Sequence, residues 1–288
     1  MLMHPNIDPV ALDLGFLQIH WYGLMYVAGF LCGYLVLRHF INTGRSNIPL
    51  DKAEDGIIYT ALGLVIGARL GYFVFYNPAV LFFDPLRVLQ LSGGGMSFHG
   101  GFIGVLIAVF LFSRYSKVRV GEISHIVALT APIGIFFGRI GNFIGQELWG
   151  RPTDMPWGMV FQQDPLGLVR HPSQLYQAAG EGLAVFLILF WFTRKPRPEW
   201  SAGALFVASY GSIRFFIEFF REPDAHIGFD LFGWMTRGQL LSLPMVMTGI
   251  AVFIWAYKRS NPPLAGIVSN KNTEAGKAKN KNKNKKKK

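Results

Sequence analysis

The sequence predicts an all-α, polytopic membrane protein with about seven transmembrane helices, its N-terminus outside and its C-terminus in the cytoplasm. Apolar residues make up 51% of the chain and the mean hydropathy is +0.31, although the C-terminal tail is almost entirely polar. Apolar stretches recur with the roughly 20-residue length that a bilayer-spanning helix requires. Lys and Arg are concentrated in alternate loops, which is typical of a multi-span protein.

Seven stretches approach the length of a membrane-spanning helix. They cover residues 16–37, 56–76, 96–113, 123–144, 175–193, 201–220 and 238–257. The first has no basic region or small-residue cleavage site before it, so we interpret it as a retained helix rather than a signal peptide. No internal repeat is visible, which disfavours a transporter built from inverted halves.

The distribution of basic residues predicts the orientation. The loops at 38–52, 114–122 and 194–200, together with the chain after 257, carry 20 Lys and Arg residues, whereas the opposite loops carry 5. Cytoplasmic loops carry the excess of Lys and Arg. The prediction is therefore an N-terminus outside and a C-terminus in the cytoplasm.

The net charge of +11 comes mainly from the tail, because residues 260–288 contain nine Lys and one Glu. The rest of the chain is close to neutral for its size, so nucleic acid is not an expected partner. We expect a membrane domain over residues 1–258 and a disordered Lys/Asn-rich cytoplasmic tail over residues 259–288, since the tail cannot bury a core.

Several functional classes are disfavoured by what the sequence lacks. Cys32 is the single cysteine, so the chain has no internal disulfide and no CxxC metal or redox site. There is no GxSxG elbow, no HExxH helix and no Asp cluster suited to magnesium on a phosphate. We therefore expect no metal and no cofactor.

Three basic residues lie inside predicted spans: Arg69, Arg139 and Arg214. A charge at that depth costs at least ~2.5–3.5 kcal/mol, so it usually faces a cavity or a partner. Arg139 would offer a planar fork of donors to a phosphate. The alternatives are an Arg139 that extends outward from a helix end and pairs with Glu147, and an Arg69 that simply binds a carbonyl or a carboxylate.

Two other motifs are candidates for chemistry. His99 is flanked by glycines at the outer end of the third span, where it is either a base or part of small-residue helix packing. Tyr210, Arg214 and Glu218 are spaced at i, i+4 and i+8 and so share one helix face. They form either a purely structural ion pair or one wall of an anion-binding cavity.

Residues near the predicted outer interface have simpler interpretations. Tyr22 fits an aromatic belt residue as well as a site residue. His171 belongs to a segment that most simply leads into the fifth span, and Cys32 is expected to be an inert packing residue.

Taken together, six motifs closely resemble those of bacterial prolipoprotein diacylglyceryl transferases. The resemblance runs from about residue 16 to 258 and rests on segments 20–26, 94–101, 138–143, 147–151, 170–176 and 210–220. It implies a seven-helix inner-membrane enzyme that moves the diacylglyceryl group of phosphatidylglycerol onto the lipobox cysteine of a prolipoprotein signal peptide. A thioether forms and glycerol phosphate leaves.

The resemblance also implies roles for individual residues. Arg139 and Arg214 would bind the phosphatidylglycerol head group, and His99 would be the base, with Tyr22 or a substrate phosphate oxygen as alternatives. Asn142 and Gly150 match essential family positions, Tyr210 matches another motif residue, and Glu147 and Glu218 would orient the two arginines. Gly145 departs from the pattern, because an Asn usually stands there. No feature of the sequence requires an oligomer, so we expect a monomer.

An anionic phospholipid transporter or scramblase is the alternative function, since the same arginines could pass head groups through the membrane. A phospholipase or phosphatidyltransferase would need the acidic metal cluster that the sequence lacks.

Overall fold

The computed structural model describes residues 2–16, 18–90, 95–223, 229–259 and 264–265. This part of the chain is mainly helical. Its helices are α1 (Trp21–Asn42), α2 (Ala53–Tyr76), α3 (Pro78–Phe83), α4 (Phe98–Ser116), α5 (Val120–Ile144), α6 (Ser173–Phe192), α7 (Ser201–Ile217) and α8 (Arg237–Lys258). Single turns of 3-10 helix lie at Leu50–Lys52 and Pro85–Leu89.

Six of these helices are long and apolar enough to cross a membrane: α1, α2 with its preceding 3-10 turn, α4, α5, α6 and α8. α7 has the same apolar character but only 17 residues. The prediction of a polytopic helical membrane protein is confirmed. The predicted span 201–220 was too long, because the chain turns after Ile217 and Phe220 bonds back to its carbonyl.

The first predicted span also began too early. Residues 18–20 form β3 (Gln18–His20), which pairs in an antiparallel hairpin with β2 (Val10–Asp13), and Trp21 donates its backbone N–H to the Pro9 carbonyl. The apolar side chains there extended the hydropathy signal beyond the helix. The helix itself runs on to Asn42.

Short strands outside the membrane helices were not predicted. β1 (Leu2–Met3) pairs in parallel with β4 (Met159–Val160), which pairs in antiparallel with β5 (Val169–Arg170). The remaining strands are β6 (Arg197–Pro198), β7 (Phe229–Leu231), β8 (Met235–Thr236) and β9 (Leu264–Ala265). β6 pairs with β9 and β7 with β8, while the predicted tail at 260–263 and 266–288 lies outside the described residues.

The N-terminal strand ties the outer loops to α5. His4 is buried between the rings of Phe143 and Phe161 and its Nε2 donates to the Phe143 carbonyl at 2.9 Å. Burial lowers the pKa of His4, so a neutral ring is the form that makes this bond. The bond satisfies a carbonyl at the end of α5.

The helices pack as neighbouring pairs, α2 with α4, α1 with α5 and α7 with α8, with α5 also contacting α6 and α7. Glycines let α2 and α4 approach closely, since a Cβ on Gly63 would lie 2.6 Å from the Gly104 carbonyl oxygen. Gly100 likewise faces Gly71. The glycines after His99 therefore serve helix packing, as the simpler interpretation predicted.

Candidate functional site

A buried carboxylate joins the two arginines that the sequence singled out. Glu181 on α6 accepts from Arg139 Nη2 of α5 at 3.3 Å and from Arg214 Nη1 of α7 at 3.0 Å. The Glu181 side chain is fully buried, whereas the side chains of Arg139 and Arg214 remain 19% and 17% exposed. Each guanidinium is thus held by the Glu181 carboxylate while part of each arginine side chain stays accessible.

The ion-pair chain continues past α7. Arg214 Nη2 lies 3.3 Å from Glu218 Oε2, and the other Glu218 oxygen accepts from Arg221 at 3.1 Å and from the Thr236 hydroxyl at 3.2 Å. These five charged groups, three guanidiniums and two carboxylates, leave one positive charge in excess. Such a cluster favours an anion that reaches its open side.

Glycines on α6 place Glu181 between its two partners. A Cβ on Gly182 would lie 2.6 Å from Phe136 Cβ and one on Gly180 would lie 2.7 Å from the Ile217 side chain, so α6 touches α5 on one side and α7 on the other. The backbone of Ala178–Ala184 is a π-helix, a feature that is frequent at functional sites.

Adding a methyl group at Gly182 is expected to separate the cluster. In Gly182→Ala the new Cβ meets the Phe136 backbone, which cannot rotate away, so α6 must move outward and carry Glu181 from Arg139. We expect stability to fall by about 1–3 kcal/mol and activity to fall with it. Thermal unfolding in detergent and a transfer assay measure both.

Gly203→Ala is the matched control for this prediction, because its Cβ would meet only Ser124 Oγ at 3.7 Å. If Gly203→Ala loses as much stability and activity as Gly182→Ala, the close approach of α6 to α5 is not what the cluster depends on.

Two tyrosines flank the cluster. Tyr210, one helical turn before Arg214 on α7, lies within electrostatic range of Arg139. Tyr210, Arg214 and Glu218 thus share one face, as their spacing predicts. Tyr22 packs its ring on Gly141, bonds Tyr26 through its hydroxyl at 3.2 Å and lies within electrostatic range of Arg139.

Glu147 does not orient an arginine in this structure. Its Oε2 accepts from Asn142 Nδ2 at 3.4 Å, and the carboxylate beside Arg139 is Glu181 instead. Glu218 does pair with Arg214, as expected. The physical reason is position: α5 ends at Ile144, so Glu147 lies beyond a turn, near Asn142 rather than level with Arg139.

Gly150 lies in the outer loops, where its backbone packs closely against the backbone of neighbouring segments. Its N–H donates to the His171 carbonyl at 2.9 Å, and it forms a bridge with Arg221. A Cβ there would lie 2.6 Å from His171 Cβ. The close approach of these segments therefore requires a glycine at this position. The next residue, Arg151, donates to the carbonyl of Arg221.

His99 lies in the first turn of α4 and is exposed. In the described part of the chain its ring contacts Phe98 and makes no hydrogen bond or ion pair with the arginine cluster. The structure therefore does not bring His99 into contact with Arg139 or Arg214.

Arg69 has a different role from the other two intramembrane arginines. It is buried and donates to the carbonyls of Arg87, Val88 and Gly95 at 3.0–3.1 Å, and also to that of Gln90. These carbonyls precede α4. Of the two interpretations that the sequence left open for Arg69, a cavity or a carbonyl partner, the structure supports the carbonyl partner.

A second ion pair stabilises the outer loops. Arg170 Nε donates to Asp164 at 2.6 Å, and this hydrogen bond lowers the pKa of the Asp164 carboxyl. His171 is one residue further along and its Nδ1 lies 3.1 Å from the Tyr176 hydroxyl. Burial lowers the pKa of His171, which favours the neutral form of its ring.

Glu181 is the site residue that the sequence analysis missed. It is the only acidic residue within the predicted span 175–193, between Gly180 and Gly182. An acidic residue at that depth is as costly as an arginine and could have been found by the same argument. Glu181 was not considered because only Lys and Arg were counted inside the predicted spans.

Comparison with known proteins agrees with the geometry. The family described as prolipoprotein diacylglyceryl transferase matches residues 9–255. The phosphatidylglycerol–prolipoprotein diacylglyceryl transferase of Teredinibacter turnerae is 51% identical over 268 residues, covering 90% of this chain and 93% of the relative. That of Acinetobacter baylyi is 50% identical, covering 90% and 96%. That of Pseudomonas fluorescens is 47% identical, covering 91% and 98%. With an arginine cluster suited to an anionic head group and a match over nearly its whole membrane part, the chain belongs to the prolipoprotein diacylglyceryl transferase family.

Proposed function

We propose that this membrane-embedded transferase moves the diacylglyceryl group of phosphatidylglycerol onto the lipobox cysteine thiol of prolipoproteins. The observation that carries the proposal is the Arg139–Glu181–Arg214 bridge, in which two guanidiniums share a buried carboxylate and keep part of their surface open. Relatives with that activity in their names share about half of this chain's residues.

The open faces of Arg139 and Arg214 suit one phosphate. Each guanidinium has donors that the Glu181 contact does not use, and a phosphate diester offers oxygens in matching geometry. Burial strengthens the attraction, because little water competes for the charge. We infer that Tyr210 and Glu218 keep the two forks in place and that Asn142, held by Glu147, lies near the head group.

The reaction is a substitution at carbon. The cysteine sulfur forms a bond to the glyceryl carbon that carries the phosphate, the carbon–oxygen bond breaks, and the phosphate oxygen keeps the electron pair. Glycerol phosphate leaves, stabilised by the arginines. The thiol proton must go to a base, because the thiolate is the nucleophile.

We propose His99 as that base, since a neutral imidazole nitrogen can accept the thiol proton. The exposed ring has no competing ion pair among the described residues. Tyr22, which lies nearer to Arg139, and a phosphate oxygen of the lipid are the alternatives for the same step. Gly150 contributes by holding the loop next to Arg151 in place.

The proposed setting is the bacterial cytoplasmic membrane, with the reaction at its outer side. The excess of Lys and Arg in alternate loops supports a cytoplasmic C-terminus. We propose a monomer that acts on one lipid and one prolipoprotein signal peptide.

A transfer assay tests the proposal. The protein in membranes is incubated with phosphatidylglycerol labelled in its acyl chains and with a lipobox peptide, alongside a peptide whose lipobox Cys is replaced by Ser. We expect label on the Cys peptide alone, resistant to mild base as a thioether is. Absence of label from the Cys peptide, with the protein shown to be folded and inserted, would overturn the proposal.

Replacing Arg139 by Lys is expected to lower kcat/KM for phosphatidylglycerol by roughly tenfold, because lysine keeps the charge but loses the planar fork. Steady-state kinetics with the labelled lipid measure the change. Arg38→Lys, a change at an exposed position far along α1, is the control. If Arg139→Lys keeps the wild-type kcat/KM, the lipid phosphate does not bind through the planar guanidinium of Arg139.

A further inference from the structure

A buried amide beside the arginine cluster has no partner. Gln177 is fully buried, and neither its Nε2 nor its Oε1 makes a hydrogen bond within the described part of the chain. Buried polar groups in native proteins are nearly always paired, so an exception requires an explanation. Nothing in the role proposed above for the arginines uses this side chain.

Gln177 lies between two parts of the site on the same helix. One turn earlier on α6, Gln174 donates to the Glu147 carbonyl at 2.6 Å. One turn later, Glu181 bonds Arg139 and Arg214. α5 and α6 pack side by side. Along these helices, Gln177 lies between the two arginines on one side and Asn142 and Glu147 on the other.

The unpaired atoms define what could bind there. A primary amide presents two donors and one acceptor whose carbonyl oxygen has two lone pairs. A carboxylate or phosphate uses only the donors, and an ammonium uses only the acceptor. A hydroxyl uses both, because it donates one hydrogen bond and accepts others.

The geometry points to a specificity role: we propose that Gln177 binds a free hydroxyl of the glycerol head group of the lipid whose phosphate lies on Arg139 and Arg214. This inference rests on the proposed function for the identity of that lipid. Gln177 precedes Glu181 by four residues on α6, which is about one helical turn, so the short glycerol chain attached to the phosphate can reach from the arginines to the amide. Gln177 would thus distinguish glycerol from head groups that lack hydroxyls.

The test uses Gln177→Met, which keeps the length of the side chain but removes donors and acceptor. Binding of short-chain phosphatidylglycerol and of phosphatidylpropanol, which has the phosphate but no free hydroxyl, is measured calorimetrically on the whole protein in detergent. The wild type is expected to prefer phosphatidylglycerol by roughly tenfold or more, and the variant is expected to lose that preference while its affinity for phosphatidylpropanol stays within about twofold.

Thermal unfolding without lipid separates this role from a structural one. Gln239 is equally buried, but its amide is paired in the capping box with Thr236. Gln239→Met is expected to lower the Tm, whereas Gln177→Met is expected to leave the Tm unchanged or raise it, because no bond is lost.

Three results would overturn the inference: no preference in the wild type, a preference that survives in Gln177→Met, or equal losses for the two lipids. Transfer to the lipobox peptide is measured on the same preparations. If transfer is absent but the preference is present and depends on Gln177, then the proposed function fails while the head-group role of Gln177 stands.

Discussion

Replacing Glu181 by glutamine is expected to lower kcat for diacylglyceryl transfer by about 100-fold. The neutral amide cannot balance two guanidiniums, so Arg139 and Arg214 repel one another and leave the geometry in which they share a phosphate. A misplacement of about 1 Å is enough for a loss of this size. KM for phosphatidylglycerol is expected to rise little, because the cluster becomes more positive. Steady-state kinetics with labelled lipid separate kcat from KM.

The same substitution is expected to destabilise the protein. Removing one member of a buried ion pair costs about 3–5 kcal/mol, since the remaining charges stay buried without compensation. Glu222→Gln is the control, because Glu222 is exposed and pairs with Arg170 outside the cluster. An unchanged kcat in Glu181→Gln, or an equal loss in Glu222→Gln, would count against the bridge.

Replacing His99 by glutamine is expected to lower kcat for transfer by at least about 100-fold, the usual contribution of a general base. Glutamine keeps hydrogen bonding but cannot accept the thiol proton. Binding of phosphatidylglycerol is expected to be unaffected, because His99 makes no contact with Arg139 or Arg214 among the described residues. Transfer and lipid binding are measured on one preparation.

This variant also separates the transferase from the scramblase alternative. A scramblase needs no base, so lipid exchange across a reconstituted bilayer would persist in His99→Gln if that were the function. His39→Gln is the control, since His39 is exposed near the opposite end of the helix bundle. Full transfer activity in His99→Gln would remove His99 from the mechanism and move the base to Tyr22 or to the lipid phosphate.

Much of the fold was accessible from hydropathy alone. The start of α4, the end of α5 and both ends of α8 were predicted within two residues, because an apolar stretch in lipid can only be a helix. The hairpin before Trp21 and the early end of α7 at Ile217 were not predicted, since side-chain apolarity does not report where the backbone leaves the helix.

For the site, an arginine inside an apolar stretch is informative by itself, and this identified Arg139 and Arg214. The partner of each arginine was harder to assign. The family resemblance implied Glu147 for Arg139, yet the partner is Glu181, which is 42 residues away. For Arg69 the sequence left both a cavity and a carbonyl partner open, and its hydrogen bonds to carbonyls decide between them.

The sequence by itself determined the membrane class, the approximate helices and the presence of costly charges within them, because each of these depends on local composition. The tertiary structure alone decided which charges meet. Gly182 and Gly180 allow α6 to contact α5 and α7 closely enough for one carboxylate to reach two arginines. That contact depends on distances between separate helices, which no pattern along one helix contains.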